Sequence, residues 1–148
     1  MIGANSQAAD QMGRPVARAA KIRILIAEDH PVMRYTLRSV LEQYPEIEIV
    51  SEATDGEDAV LKAQELQPAL VLMDINMPKL DGIAATQRIK AHSNGIAVLG
   101  LSVHGERLSI DAMLRAGAVE VVPKEKATED LYEAIRRAIE KPRINGMA

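Results

Sequence analysis

Four apolar runs in this 148-residue chain end on polar groups whose types belong together. Residues 22–27 run into Glu28 and Asp29. Residues 69–73 run into Asp74, which is followed by Ile75, Asn76, Met77 and Pro78. Residues 96–101 run into Ser102, and residues 119–123 into Lys124. In an open parallel sheet the strand C-terminal ends converge on one edge, where sites are built. Three carboxylates, a hydroxyl and an ammonium are therefore expected in one cleft. A carboxylate can act as a nucleophile toward a phosphoryl group and become an acyl phosphate. Asp74, which ends the most apolar run, is the candidate nucleophile. Clustered carboxylates repel one another unless a cation joins them. Mg2+ suits a few carboxylate oxygens and phosphate oxygens together, so Glu28 and Asp29 are read as its holders. Lys124 is a flexible point charge able to reach a phosphoryl oxygen, and Ser102 can donate a hydrogen bond to one.

Such groups need elements to carry them. Pro31 suits the first turn of a helix. Met33, Leu37, Val40, Leu41 and Tyr44 then recur at helical spacing up to Pro45. Residues 47–50 form a second strand. Gly56 opens a second helix, with Ala59, Ala63 and Leu66 on one face and Pro68 at its end. Asp81 and Gly82 open a third helix, running to about residue 91. A fourth spans about residues 106–115, with Gly117 as its C-cap. Thr128 is expected to cap the N-terminus of a fifth, whose apolar stripe is Leu131, Ala134, Ile135 and Ala138. Five strands alternating with five helices imply an α/β fold, a three-layer α/β/α sandwich. The uninterrupted apolar run before Asp74 fits a strand covered on both faces.

Composition narrows the function classes. Nearly half the residues are apolar, but the aromatics are Tyr35, Tyr44 and Tyr132 alone, so the core must be aliphatic with Met as filler. A formal net charge of −3 does not suggest a nucleic-acid or membrane surface. The absence of Cys excludes disulfides and thiolate chemistry within the chain. No apolar stretch is long enough to span a bilayer, and a cytoplasmic location is expected. Residues 1–20 read as a disordered tail or linker, residues 21–141 as the ordered domain, and residues 142–148 as a C-terminal tail. The N-terminal tail fits excision from something longer.

The joint occurrence of Glu28-Asp29, Asp74 within Met-Asp-Ile-Asn-Met-Pro, Asp81-Gly82, Ser102, Gly117-Ala118 and Lys124 resembles the response-regulator receiver domain, the phosphoacceptor module of two-component phosphorelay signalling. The resemblance covers roughly residues 21–141. It implies a flavodoxin-like five-stranded parallel sheet in the order 2-1-3-4-5. It also implies Mg2+ on Asp29, Asp74 and the Asn76 backbone carbonyl, with Glu28 acting through water. Asp74, Lys124 and Ser102 would carry the chemistry. Expected partners are a histidine kinase or phosphotransfer domain, and a weak homodimer through helix four, strand five and helix five. The segments Asp29-His30-Pro31 and Leu101-Ser102-Val103-His104 are most similar to the branch that often carries a helix-turn-helix effector. None is found here, so specific DNA binding is not expected. No enzymatic role is expected beyond self-phosphorylation and autodephosphorylation.

Two positions depart from the family pattern. Val121 stands where an aromatic switch residue is common. Lys124 is followed by Glu125 rather than Pro, and a cis bond there would cost about 3–4 kcal/mol. Asn76 and His104 are expected to flank the path of the attacking water, with Val103 narrowing access. The alternative reading is a phosphatase of haloacid-dehalogenase type. That class needs an acid two residues after the nucleophile, where this chain has Asn76.

Overall fold

A computed structural model describes residues 11–12, 20–103 and 106–140. The elements follow in strict alternation: β1 (Ile22–Ala27), α1 (Pro31–Leu41), β2 (Ile47–Ala53), α2 (Gly56–Leu66), β3 (Leu70–Asp74), α3 (Gly82–His92), β4 (Ala97–Ser102), α4 (Arg107–Ala116), β5 (Glu120–Pro123) and α5 (Ala127–Glu140). All strand pairs are parallel, in the order β2-β1-β3-β4-β5. The expected architecture is the observed one.

Side-chain alternation along the strands sorts the core into two layers. Ile24, Ile26, Leu70, Leu72, Leu99 and Leu101 face α1 and α5, meeting Leu37, Leu41, Leu131 and Ile135. Leu25, Val71, Met73 and Val98 face the opposite side and meet Ala59 and Ala63 of α2, Ala85 and Ile89 of α3, and Met113 of α4. β3 is buried at every position. Its helices cover both faces, which is why its sequence lacks the polar alternation of a half-exposed strand.

The ends of the elements follow local chemistry. Asp55 and Asp81 cap α2 and α3 by accepting from the backbone N–H groups of Asp58 and Ala84. Gly117 ends α4 at φ +122°, a conformation open chiefly to glycine. Gln67 ends α2 in the left-handed region without being glycine. Thr128 is not a cap. A 3-10 turn, Lys124–Lys126, leads directly into α5, so Thr128 is already helical. α1 stops at Leu41, before Pro45, and its N-cap residue is His30.

The pairing of β1 with β2 contains one irregularity. Ile24 pairs with Ile49 but Leu25 pairs with Ser51, so β2 carries one extra residue, Val50. Such a bulge flips the side-chain parity of the strand beyond it. Glu52 becomes the partner of Ile26 and joins the α1 face, a place that simple alternation from Ile47 and Ile49 would give to Ser51.

Candidate functional site

The strand ends bring Glu28, Asp29, Asp74, Ser102 and Lys124 to one edge of the sheet. β1 delivers Glu28 and Asp29, and β3 ends on Asp74 itself. Leu101 is opposite Asp74, so Ser102 stands one residue further out on β4, beside Pro123 of β5. Lys124 starts two strands away from Asp74, about 10 Å at ordinary strand spacing. Its four-carbon stem closes that gap. The Lys124 Nζ lies 3.1 Å from Asp74 Oδ1 and 3.2 Å from Glu28 Oε1. Glu28, Asp74 and Ser102 are 0%, 1% and 2% exposed.

The loop after β3 wraps the same point. Asn76 donates its backbone N–H to Asp74 Oδ1 at 3.1 Å. Its side-chain amide turns away and donates to Glu106 Oε1 at 2.8 Å, while Glu106 Oε2 accepts from the Val103 N–H at 2.8 Å. Glu106 thus ties the loop after β3 to the loop after β4, a link that no spacing in the sequence announces. Gly82 permits the return of the chain: a Cβ there would sit 2.2 Å from the Asp74 carbonyl oxygen. His104 lies outside the described residues. The Lys124–Glu125 peptide is trans. Val121 fills its place with a branched aliphatic, and its side chain and that of Met113 both close on Gly100.

Burial raises the pKa of Asp74, and the neighbouring Glu28 charge raises it further. Lys124 and the Asn76 N–H pull it down without cancelling those effects, so the carboxyl is pushed up to about 7. For Lys124, burial favours the neutral form, but the Asp74 and Glu28 charges outweigh it and the ammonium is held above its ordinary range.

Asp74 Oδ2 is buried with no donor, while Glu28 Oε1 and Asp29 Oδ1, also buried, meet the Lys124 ammonium at 3.2 Å and the His30 ring nitrogen at 3.3 Å without forming a hydrogen bond. Buried acceptors without donors are costly. Ligand atoms of Glu28, Asp29, His30 and Asp74 all lie within 4.8 Å of one another. An oxygen-rich cluster of that size, short of donors, fits a hard divalent cation. His30 joins the residues expected from sequence. Its Nδ1 lies 3.1 Å from Glu28 Oε2 and 3.3 Å from Asp29 Oδ1. Its position directly after the two acids was the available signal.

This sheet order, with an acidic pocket and a lysine at the C-terminal strand edge, defines a class of phosphoacceptor α/β domains. The profile of the response regulator receiver domain family matches residues 24–136, and the chain belongs to that family. It is 44% identical over 114 residues to a protein-glutamate methylesterase/protein-glutamine glutaminase of Carboxydothermus hydrogenoformans, covering 76% of this chain and 32% of the relative. It is 36% identical to the transcriptional regulatory protein DegU of Brevibacillus brevis, covering 78% of this chain and 49% of that protein. Among solved structures, the response regulator domain of Thermotoga maritima CheB superposes with a TM-score of 0.75 at 32% identity, covering 83% of this chain and 99% of that one. The chain spans about a third of the length of the first of these relatives.

These matches leave the phosphatase alternative without support, as does Asn76, whose amide is engaged by Glu106 rather than offering an acid. They also correct one expectation. Relatives at 43–44% identity are named as methylesterases and glutaminases, which are enzymes, so the expectation that the protein is not an enzyme does not stand. The matched stretch is the receiver region of those longer proteins.

Proposed function

We propose that Asp74 accepts a phosphoryl group from the phosphohistidine of a histidine kinase or phosphotransfer partner, and that residues 21–141 act as the receiver unit for this step, flanked by tails. The observation that carries the reading is the buried Asp74 with one oxygen, Oδ1, held by Lys124 and the Asn76 N–H and the other, Oδ2, free of donors. Asp74 forms the O–P bond as the N–P bond of the donor breaks, and the imidazole leaves with the electron pair. Lys124 is placed to shift from the Asp74 carboxylate to a phosphoryl oxygen. Ser102, at the neighbouring strand end, donates to a second oxygen once the phosphoryl is present. Because that hydrogen bond exists only in the phosphorylated form, it biases the surrounding loops toward a second arrangement.

Asp29, Asp74, the Asn76 carbonyl and Glu28 would hold Mg2+, which supplies charge neutralisation between the nucleophile and the incoming phosphoryl group. A bound cation also lowers the pKa of Asp74 and keeps its carboxylate ionised. Among the described residues no helix is long and apolar enough to cross a membrane. Treatment with acetyl phosphate and magnesium, read by intact mass, should add one phosphoryl group to the wild type and none to Asp74→Asn. A modification that persists in Asp74→Asn would remove Asp74 as the acceptor.

A further inference from the structure

We infer that Arg34, braced by Glu52, is a positioning residue for the Glu28–Asp29 pair and thereby sets the affinity of the acidic pocket for a divalent cation. This rests on the reading of that pocket as a cation site. The Arg34 Nη1 donates to the Glu28 carbonyl oxygen at 2.9 Å. That carbonyl belongs to the peptide group joining Glu28 to Asp29, so its orientation sets how both carboxylates leave the chain. On the other side, the Glu28 N–H donates to the Ala53 carbonyl at 3.0 Å. The backbone of the acidic pair is thus clamped from β2 and from α1.

Arg34 is itself held. Its Nε lies 3.2 Å from Glu52 Oε1, and Arg38, one turn further along α1, donates from its Nε to Glu52 Oε2 at 2.6 Å. Arg34 and Glu52 are 20% and 21% exposed, sheltered enough for the geometry to be fixed. The Val50 bulge makes the arrangement possible, because without it Glu52 would point to the α2 side of the sheet. A planar guanidinium can serve the carbonyl and the carboxylate at once, which a lysine ammonium cannot do with the same fork. Partners one layer behind a ligand set commonly govern metal affinity through orientation.

Charge and position predict opposite signs, which makes the inference testable. As a bare positive charge near the pocket, Arg34 repels a cation, and its removal should tighten binding. As a positioning residue, its removal should weaken binding. Titrate the full chain with Mg2+ by calorimetry for wild type, Arg34→Ala, Arg34→Lys and Arg38→Ala, with circular dichroism to confirm folding. Arg38 shares Glu52 and carries the same charge but does not touch Glu28, so it serves as the control. Arg34→Ala should weaken binding about tenfold, and Arg34→Lys should recover part of the loss. Arg38→Ala should stay within about twofold, the effect of a screened charge. If Arg34→Ala does not fold, Arg34→Lys against Arg38→Ala decides by the same order. Binding by the Arg34 variants as tight as wild type or tighter overturns the inference, as does an equal loss in Arg38→Ala. A wild type that takes up no Mg2+ overturns the cation site, and the inference falls with it.

Discussion

Asp74 and Glu28 share a buried corner in which one lysine stands against two carboxylates. The ordinary pKa of 3.8 rises to about 7 for Asp74 in the folded chain. Between those values the folded protein holds a proton that the unfolded chain has released. The stability linked to this group is therefore present in acid and lost as pH rises through about 7. Asp74→Asn removes the charge, so the cation-free variant should be more stable than wild type at about pH 8, by on the order of 1–3 kcal/mol. The gain should shrink toward about pH 4, where both proteins are neutral at this position. Urea unfolding across that range checks it; a difference that does not vary with pH would mean Glu28 and burial are not straining Asp74. Saturating Mg2+ should narrow the gap at high pH, because a cation that binds the native wild type stabilises it by mass action.

At the level of elements, the site depends on how closely the start of α3 packs under β3. The Gly82 N–H donates to the Ile75 carbonyl at 2.7 Å, and a Cβ at Gly82 would meet the Asp74 carbonyl oxygen at 2.2 Å and Ile75 Cα at 2.8 Å. Both obstacles are backbone, which cannot swing aside. Gly82→Ala should therefore destabilise by about 2–3 kcal/mol and weaken Mg2+ binding by displacing Asp74. Gly95 offers a matched control, since a Cβ there meets nothing within 4 Å and its φ is not in the left-handed region. Gly95→Ala should be neutral or slightly stabilising. Equal effects of the two substitutions in denaturant titrations would show that the close approach at Gly82 is not what the site relies on.

For the molecule as a whole, the surface formed by α4, β5 and α5 is the proposed output face. An ion pair across its β5–α5 seam is closed within the chain. Arg137 of α5 pairs with Glu120 of β5 at 2.7 Å. Leu108 and Leu114 of α4 are exposed. Surface ion pairs of this kind exchange partners at little cost, which suits reversible association. Occupying the acceptor site with beryllofluoride and Mg2+ should strengthen self-association by about 1–3 kcal/mol. Sedimentation of free and beryllofluoride-bound protein reads this directly, and coincident profiles at high concentration would argue against a homodimer switch. With a formal net charge of −3, the chain should give no site-specific, salt-resistant shift with DNA fragments.

Sequence determined much of this protein because parallel α/β folds convert strand ends into a site without further instruction. The apolar runs before Glu28, Asp74, Ser102 and Lys124 locate the strands, and the edge they share follows from parallel packing. The stripe of Leu131, Ala134, Ile135 and Ala138 is buried as its spacing requires. Boundaries were less legible where turns compete with helices. The 3-10 turn after Lys124 displaced the cap expected at Thr128. Specific pairings were less legible: strand-end convergence places Lys124 in the cleft with the acids, but that its ammonium crosses β4 to lie 3.1 Å from Asp74 and 3.2 Å from Glu28 is a distance in space, not in sequence. The same holds for Glu106 bridging Asn76 and Val103. The sharpest case is Glu52. Periodicity places it on the wrong face of β2, and only the inserted Val50 turns it toward Arg34, because a bulge is a property of two paired strands rather than of either one.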